Sequence, residues 1–125
     1  YVSMHFQIND QGIFDFIRMD YTRFDASNGS TKALKVPDFK FSVATGIQHE
    51  KWRYGLFIVG EGEKEAYGNA KIQAYSYTDL SIHYDLNAKT SLFSKAHNIF
   101  DKSYQTAAGY QQLGRSFYWG LKRVF

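Results

Sequence analysis

Four histidines, His5, His49, His83 and His97, are the first residues to weigh, because imidazole is both a metal ligand and a proton carrier near neutral pH. They fall on separate strands or turns without the spacing of a metal site, and His49-Glu50 lacks the second histidine that a zinc-binding helix needs. No serine, histidine and aspartate are tied together by the sequence, and Ser94 and Ser116 read as ordinary strand residues. Gly60-Glu61-Gly62 runs on into Glu and Lys rather than into a helix, so it is not a phosphate cradle. Asn28-Gly29-Ser30 has the pattern of a glycosylation acceptor but is better read as a turn. Cysteine is absent, which excludes thiol catalysis, zinc ribbons and disulfide scaffolds. The reading assigns no catalytic residue, no metal site and no cofactor, and the chain is not expected to be an enzyme.

The 125 residues suit one compact domain or a piece of something larger. Aromatic residues make up 18% and proline occurs once, a bias toward strands and away from disorder, so the fold class expected is all-β. Fifteen basic residues against twelve acidic ones are scattered rather than gathered in a stripe, so nucleic acid is not a partner to expect. No run of eighteen apolar residues exists, which removes a transmembrane helix. A mean hydropathy of -0.44 nevertheless fits a membrane β-barrel, whose strands alternate lipid-facing and polar residues. The chain starts at Tyr1 directly in an alternating run, from which we expect either a removed signal peptide or a longer parent chain.

Period-two runs supply the elements that would position any site. Val2, Met4, Phe6 and Ile8 alternate with polar residues up to the turn at Asn9-Asp10-Gln11-Gly12. A second run, Ile13 to Phe24, puts Ile17, Met19 and Tyr21 on one face, with Phe14 and Phe16 blurring its start. Phe39, Phe41, Val43 and Ile47 lead through a short turn to Trp52, Tyr54, Leu56 and Ile58. Leu80, Ile82, Tyr84 and Leu86 come next, then a tight Asn87-Ala88-Lys89 turn, a strand near Thr90 to Phe100, and a last strand with Phe117, Trp119, Leu121 and Phe125 on one face. About seven antiparallel strands are expected.

Short turns at Asn9, Gln48 and Asn87 alternate strictly with long loops from Asp25, Gly60 and Asp101. All short turns therefore lie at one end of the sheet, as in outer-membrane barrels. A small soluble barrel of the lipocalin kind, built to bind a small ligand, is the alternative. Trp52, Tyr54, Tyr75, Tyr77, Phe117, Tyr118 and Trp119 stand at strand ends, where aromatic girdles of a membrane protein sit. Arg18, Asp20, Lys40, Arg53, Asp79, His83, Asp85, Lys95 and Lys122 share the opposite, polar face.

From Asp79 onward, Asp79-Leu80, Asn98-Ile99-Phe100-Asp101-Lys102, Tyr104, Gly109-Tyr110, Gly114-Arg115 and the terminal Phe125 resemble the C-terminal end of TonB-dependent outer-membrane receptors. Asp20-Tyr21-Thr22, Asp25-Ala26 and Val36-Pro37 are similar to the preceding hairpins of that family. Tyr104-Gln105-Thr106-Ala107 with Gly109-Tyr110-Gln111 looks nearest to the vitamin B12 receptor branch. Two positions depart from the pattern: Arg123 replaces an aromatic before the terminal Phe, and His97 replaces a carboxylate before the Asn.

The resemblance implies that residues 1–125 are the last seven or so strands of a barrel of about 22 strands, in the bacterial outer membrane. The earlier strands, the plug inside the barrel and the TonB box are not visible in this sequence. Such a receptor imports a scarce ligand, cobalamin, a siderophore or haem, with energy delivered by the TonB complex through the plug. Outer-membrane lipid, the barrel assembly machinery and a small-molecule ligand are the implied partners. The assembly machinery would read the final strand, Phe117, Trp119, Leu121 and Phe125. Ligand contact is expected from the long loops at Tyr67, Tyr104, Tyr110, Gln111 and Arg115, since aromatics and arginine dominate recognition energy. Tyr104, Tyr110, Gln111 and Gln112 with the single Arg115 suit a large neutral corrinoid better than an anionic chelate. Asn98 and Asp101 are expected to bond the backbone where the strand ends, and Gly109 and Gly114 to take positive φ.

Overall fold

The computed structural model describes residues 2–9, 15–24, 27–28, 31–32, 36–66, 68 and 70–125. Thirteen strands occur among them: β1 (Val2–Asn9), β2 (Phe16–Arg23), β3 (Ser27–Asn28), β4 (Thr31–Lys32), β5 (Phe39–His49), β6 (Trp52–Glu61), β7 (Lys64–Glu65), β8 (Lys71–Ile72), β9 (Tyr75–Asn87), β10 (Thr90–His97), β11 (Gln105–Ala107), β12 (Tyr110–Gln111) and β13 (Ser116–Arg123). Seven form one antiparallel sheet in the order β1-β2-β5-β6-β9-β10-β13, so each long strand pairs with its neighbours in sequence. The expected seven strands are all present. Each long loop adds a two-stranded hairpin of its own, β3 with β4, β7 with β8 and β11 with β12.

Two strand ends differ from the sequence expectation. The strand from Thr90 stops at His97 instead of reaching Phe100, because Asn98 takes a φ of 51° and turns the chain out of the ladder. The second strand runs Phe16–Arg23, while residues 13 and 14 lie outside those described.

Register sorts the side chains into two faces. Val43 opposes Met19 and Ile58, Leu56 opposes Thr45 and Leu80, and Leu92 opposes Tyr84 and Leu121, so the alternating apolar residues stack across the sheet on one side. Met4, Phe6, Met19, Leu80, Ile82, Leu92, Phe117, Trp119 and Leu121 remain exposed there. A contiguous apolar surface of this size is unfavourable in water. The polar face carries Asp20 opposite Ser42, Lys40 opposite Glu61, Phe57 opposite Asp79, and Arg53 opposite His83. Ala44 and Asp79, the two buried residues of the long strands' interior with side chains, both lie on this polar side.

Aromatic rings edge the apolar face at both ends. Trp52 stacks on Tyr54 at 6.0 Å and meets Tyr84 at 4.5 Å at the short-turn end. Tyr21 and Phe41 flank Phe39 at 6.2 and 6.4 Å at the long-loop end. Between these belts lie aliphatic residues, as a bilayer-facing surface requires. The eleven-residue β5 spans roughly 37 Å at ~3.4 Å per residue, enough to cross an apolar band of about 25 Å at a tilt near 45°.

Tyr75, Tyr77 and Tyr118 are not part of this belt. They pair with Glu61, Val59 and Lys95 and stand on the polar face. The reason is parity: Tyr75, Tyr77 and Asp79 share one side of β9 with Ser81, His83 and Asp85, whereas the girdle residues share the other.

Tight cross-strand packing explains three strand glycines. Phe16 covers Gly46 and Phe93 covers Gly120, each from the directly opposing position, and a Cβ at either glycine would fall 2.6 or 2.5 Å from the ring. Gly60 opposes Phe41 in the same way on the other face.

Candidate functional site

The polar face gathers its charges around four carboxylates. Asp20 takes His5 Nδ1 at 2.5 Å, Arg18 Nε at 3.8 Å and the Ser42 hydroxyl at 3.4 Å. Glu61 lies between Lys40 Nζ at 3.1 Å and Lys64 Nζ at 2.9 Å. Asp79 holds His97 Nδ1 at 2.7 Å and Lys95 Nζ at 3.6 Å, and Asp85 holds Arg53 at 3.2 Å. Charges paired in this way belong beside water or another polar surface, not beside lipid.

Asp79 also anchors the loop that follows β10. Its Oδ1 accepts the Asn98 N–H at 2.9 Å, and Ile99 N–H donates to the Thr78 carbonyl at 2.9 Å. Asn98 is fully buried, and its amide closes the turn twice: Nδ2 donates to the Lys102 carbonyl at 2.9 Å and Oδ1 accepts the Lys102 N–H at 3.0 Å. Asparagine suits the position because it tolerates positive φ and its short amide mimics a backbone group. Asp101, at φ 53°, accepts the Arg115 N–H at 2.8 Å and ties the far end of the loop to its start. These bonds bear out the expected roles of Asn98 and Asp101.

Gly109 has the expected positive φ, 81°, at the tip of the β11–β12 hairpin, but Gly114 does not. Gly114 is required for a different reason, since a Cβ there would sit 2.6 Å from Asp101 Oδ1.

The Asn98 turn delivers Tyr104 onto the wall. Its ring stacks on Tyr75 at 4.6 Å and on Tyr77 at 5.4 Å, and the Tyr77 ring meets His97 at 5.1 Å. Burial pushes the Tyr104 phenol above the ordinary tyrosine value, and the charge on Asp79 adds to the shift. A shallow groove of 390 Å³ opens beside this cluster, lined by Phe39, Phe41, Glu61, Tyr75, Lys102 and Ser103 among others.

The expected ligand residues divide. Tyr104 joins the wall cluster, whereas Tyr110 is exposed on β12 and the Gln111 amide donates to Ser103 Oγ at 2.5 Å. Arg115 stands at the loop base, held through its backbone. Tyr67 lies outside the described residues. Tyr75, Tyr77 and His97 were not expected in the site, although the parity of β9 signals the two tyrosines. Among the described residues no group of three metal-ligating side chains comes together.

Phe117, Trp119 and Leu121 lie on the apolar side of β13, one of the two outer strands of the sheet, and Phe125 is fully exposed beyond its end. The Arg123 guanidinium lies 5.7 Å from the Phe125 ring centroid.

No family model matches the chain. Among curated proteins it is 27% identical over 115 residues to the vitamin B12 transporter BtuB of Vibrio cholerae serotype O1, a match covering 87% of this chain and 19% of that protein. Among solved structures, a variant of the ferric enterobactin receptor PfeA from Pseudomonas aeruginosa superposes with a TM-score of 0.82 at 16% identity, covering 98% of this chain and 22% of that one. The ferric-catecholate import receptor Fiu from E. coli K12 gives 0.80 at 17% identity, covering 98% and 20%. The copper transporter OprC gives 0.77 at 13% identity, covering 98% and 23%. The chain thus spans about a fifth of the length of the proteins it matches. Its setting is the bacterial outer membrane, and it has the sequence pattern and the fold of the C-terminal part of a TonB-dependent receptor barrel.

Proposed function

We propose that the chain forms one part of the barrel wall of an active importer, whose plug and TonB partner lie outside these 125 residues. The single observation carrying this reading is the division of one sheet into a belted apolar face and a face of paired charges. The apolar face meets outer-membrane lipid, while the polar face lines a wet interior that accommodates a plug. The relatives and structures named above are transporters and receptors.

A lipocalin-like soluble barrel is not favoured. The seven long strands leave β1 and β13 each with a single neighbour, whereas a small soluble barrel closes on itself and hides its apolar face inside. Barrel assembly fits a second role for the last strand, where Phe117, Trp119, Leu121 and Phe125 offer an exposed apolar edge. Leu121→Arg is expected to reduce assembly of the parent barrel.

For the cargo we favour cobalamin over a ferric siderophore or haem. The loop from Gln105 to Arg115 offers Tyr110, Gln111 and Gln112 with one arginine, and Tyr104 extends it to the wall aromatics Tyr75 and Tyr77. Aromatic and amide contacts suit a bulky neutral macrocycle, while an anionic chelate would favour a denser basic cluster. Titration of the intact receptor with cyanocobalamin and with several ferric chelates tests the choice. Saturable cobalamin binding weakened by Tyr104→Ala or Tyr110→Ala supports it. Tight binding of a ferric chelate with none of cobalamin overturns the cargo and leaves the importer reading standing.

A further inference from the structure

The long strands place five lysine or arginine residues on the polar face: Arg18, Lys40, Arg53, Lys95 and Lys122. Four of them reach a carboxylate on that face, and Asp20, Glu61, Asp79 and Asp85 are all engaged. Lys122 alone has no carboxylate among the described residues. It opens onto a cavity of 510 Å³ at the short-turn end, and Lys51 and Lys89 line the same cavity, likewise without an ion-pair partner. The cavity's own carboxylate, Asp85, is taken by Arg53 at 3.2 Å. Three cations thus share the cavity with one carboxylate that is already paired, an excess of positive charge that a bound anion lowers.

Spacing indicates the form of the anion. Lys51 precedes β6, Lys89 sits in the turn between β9 and β10, and Lys122 is on β13, so the three are spread over strands that neighbour one another in the order β6-β9-β10-β13. Three strand separations amount to about 14 Å. In an extended peptide, acidic side chains at alternate positions i, i+2 and i+4 point the same way and span about 13 Å. An extended acidic segment matches that backbone spread more closely than a single phosphate does.

We propose that this cavity is a docking site for an extended acidic protein segment with carboxylates at alternating positions. The inference rests on the outer-membrane reading only for the side it faces, since short turns mark the periplasmic end of such barrels. Docking there would tie the barrel wall to a polypeptide at its periplasmic mouth, remote from the Tyr104 cluster at the opposite end.

The test uses the parent barrel in detergent micelles with a fluorescein-labelled peptide carrying three glutamates alternating with serines, and a glutamine version as the neutral control. Anisotropy at low ionic strength should show saturable binding of the acidic peptide only. Lys51→Gln/Lys89→Gln/Lys122→Gln should weaken it about tenfold or more, by loss of three exposed ion pairs, while Lys71→Gln at the long-loop end leaves it unchanged. Lysine acetylation read by mass spectrometry should show Lys51, Lys89 and Lys122 protected by the peptide, and Lys71 and Lys102 not. Absence of binding, binding that survives the triple substitution, or displacement by inorganic phosphate at concentrations equal to those of peptide would each overturn the proposal. Cobalamin or chelate titration is independent of these outcomes, so failure here does not touch the cargo reading.

Discussion

Asn98 has a large structural consequence for a single residue, because its buried side-chain amide closes a turn on Lys102, its backbone N–H donates to the Asp79 carboxylate, and it starts the loop that carries Tyr104. Asn98→Ala strands the Lys102 N–H and carbonyl and places a Cβ-bearing residue without a compensating amide at φ 51°. A cost of about 2–4 kcal/mol is expected from the orphaned groups and the backbone strain together. Asn98→Gly should recover only the strain, and urea unfolding of the two variants in micelles measures the difference. Equal losses for both would show that the amide's bonds dominate. Tyr104 gives a pH signature at the same scale. Its folded value is raised, so the stability of its stacked, neutral form is fully present below the unfolded value near 10 and is lost as pH rises through the folded one. The difference in absorbance at phenolate wavelengths between the chain and Tyr104→Phe should therefore show a tyrosine that ionises above its ordinary range.

At the scale of the strand, opposite faces have opposite tolerances for charge. Ile58 lies on the apolar face between Val43 and Thr78, so Ile58→Arg is expected to cost about 2–4 kcal/mol near the bilayer midplane. Lys40→Gln on the polar face should cost little, because Glu61 keeps Lys64 at 2.9 Å when Lys40 is neutralised. Folding of each variant into vesicles, followed by a gel-shift assay for the folded barrel, compares the two. Matching behaviour of both substitutions would contradict the register.

For the whole molecule, two outer strands and an exposed apolar face set the conditions under which the chain is stable. Unpaired strand edges recruit other strands, and the apolar face recruits lipid or detergent. Fractionation should place the parent polypeptide in the outer membrane, released by detergent and not by salt or alkali. Recovery of a monomeric, folded chain from buffer without detergent would refute the membrane assignment, since the belts around Trp52 and Phe39 would then face water.

The seven long strands, the alternation of short and long connections, and which residues share a face are all legible in the residue order, since period two is a local property that survives without knowledge of any partner. That order also held the information that Tyr75 and Tyr77 belong with the polar residues of β9, through parity with Asp79, His83 and Asp85. The side-chain types of Asn98 and Asp101 marked them as residues that bond the backbone at a strand end, but not that the strand stops at His97. Long-range packing sets the rest: the Asn98 N–H meets the Asp79 carboxylate of β9, Tyr104 returns to stack on Tyr75 and Tyr77, and Gly114 clears Asp101. The same holds for the lysines: their number is read from the chain, but which of them find carboxylates depends on register across the sheet. Lys40 meets Glu61 and Lys95 meets Asp79 because neighbouring strands bring those positions together, while the ends of β6, β10 and β13 leave Lys51, Lys89 and Lys122 in one cavity whose carboxylate, Asp85, is held by Arg53. Local periodicity fixes the side of the sheet a residue occupies, and pairing between distant segments fixes what it meets there.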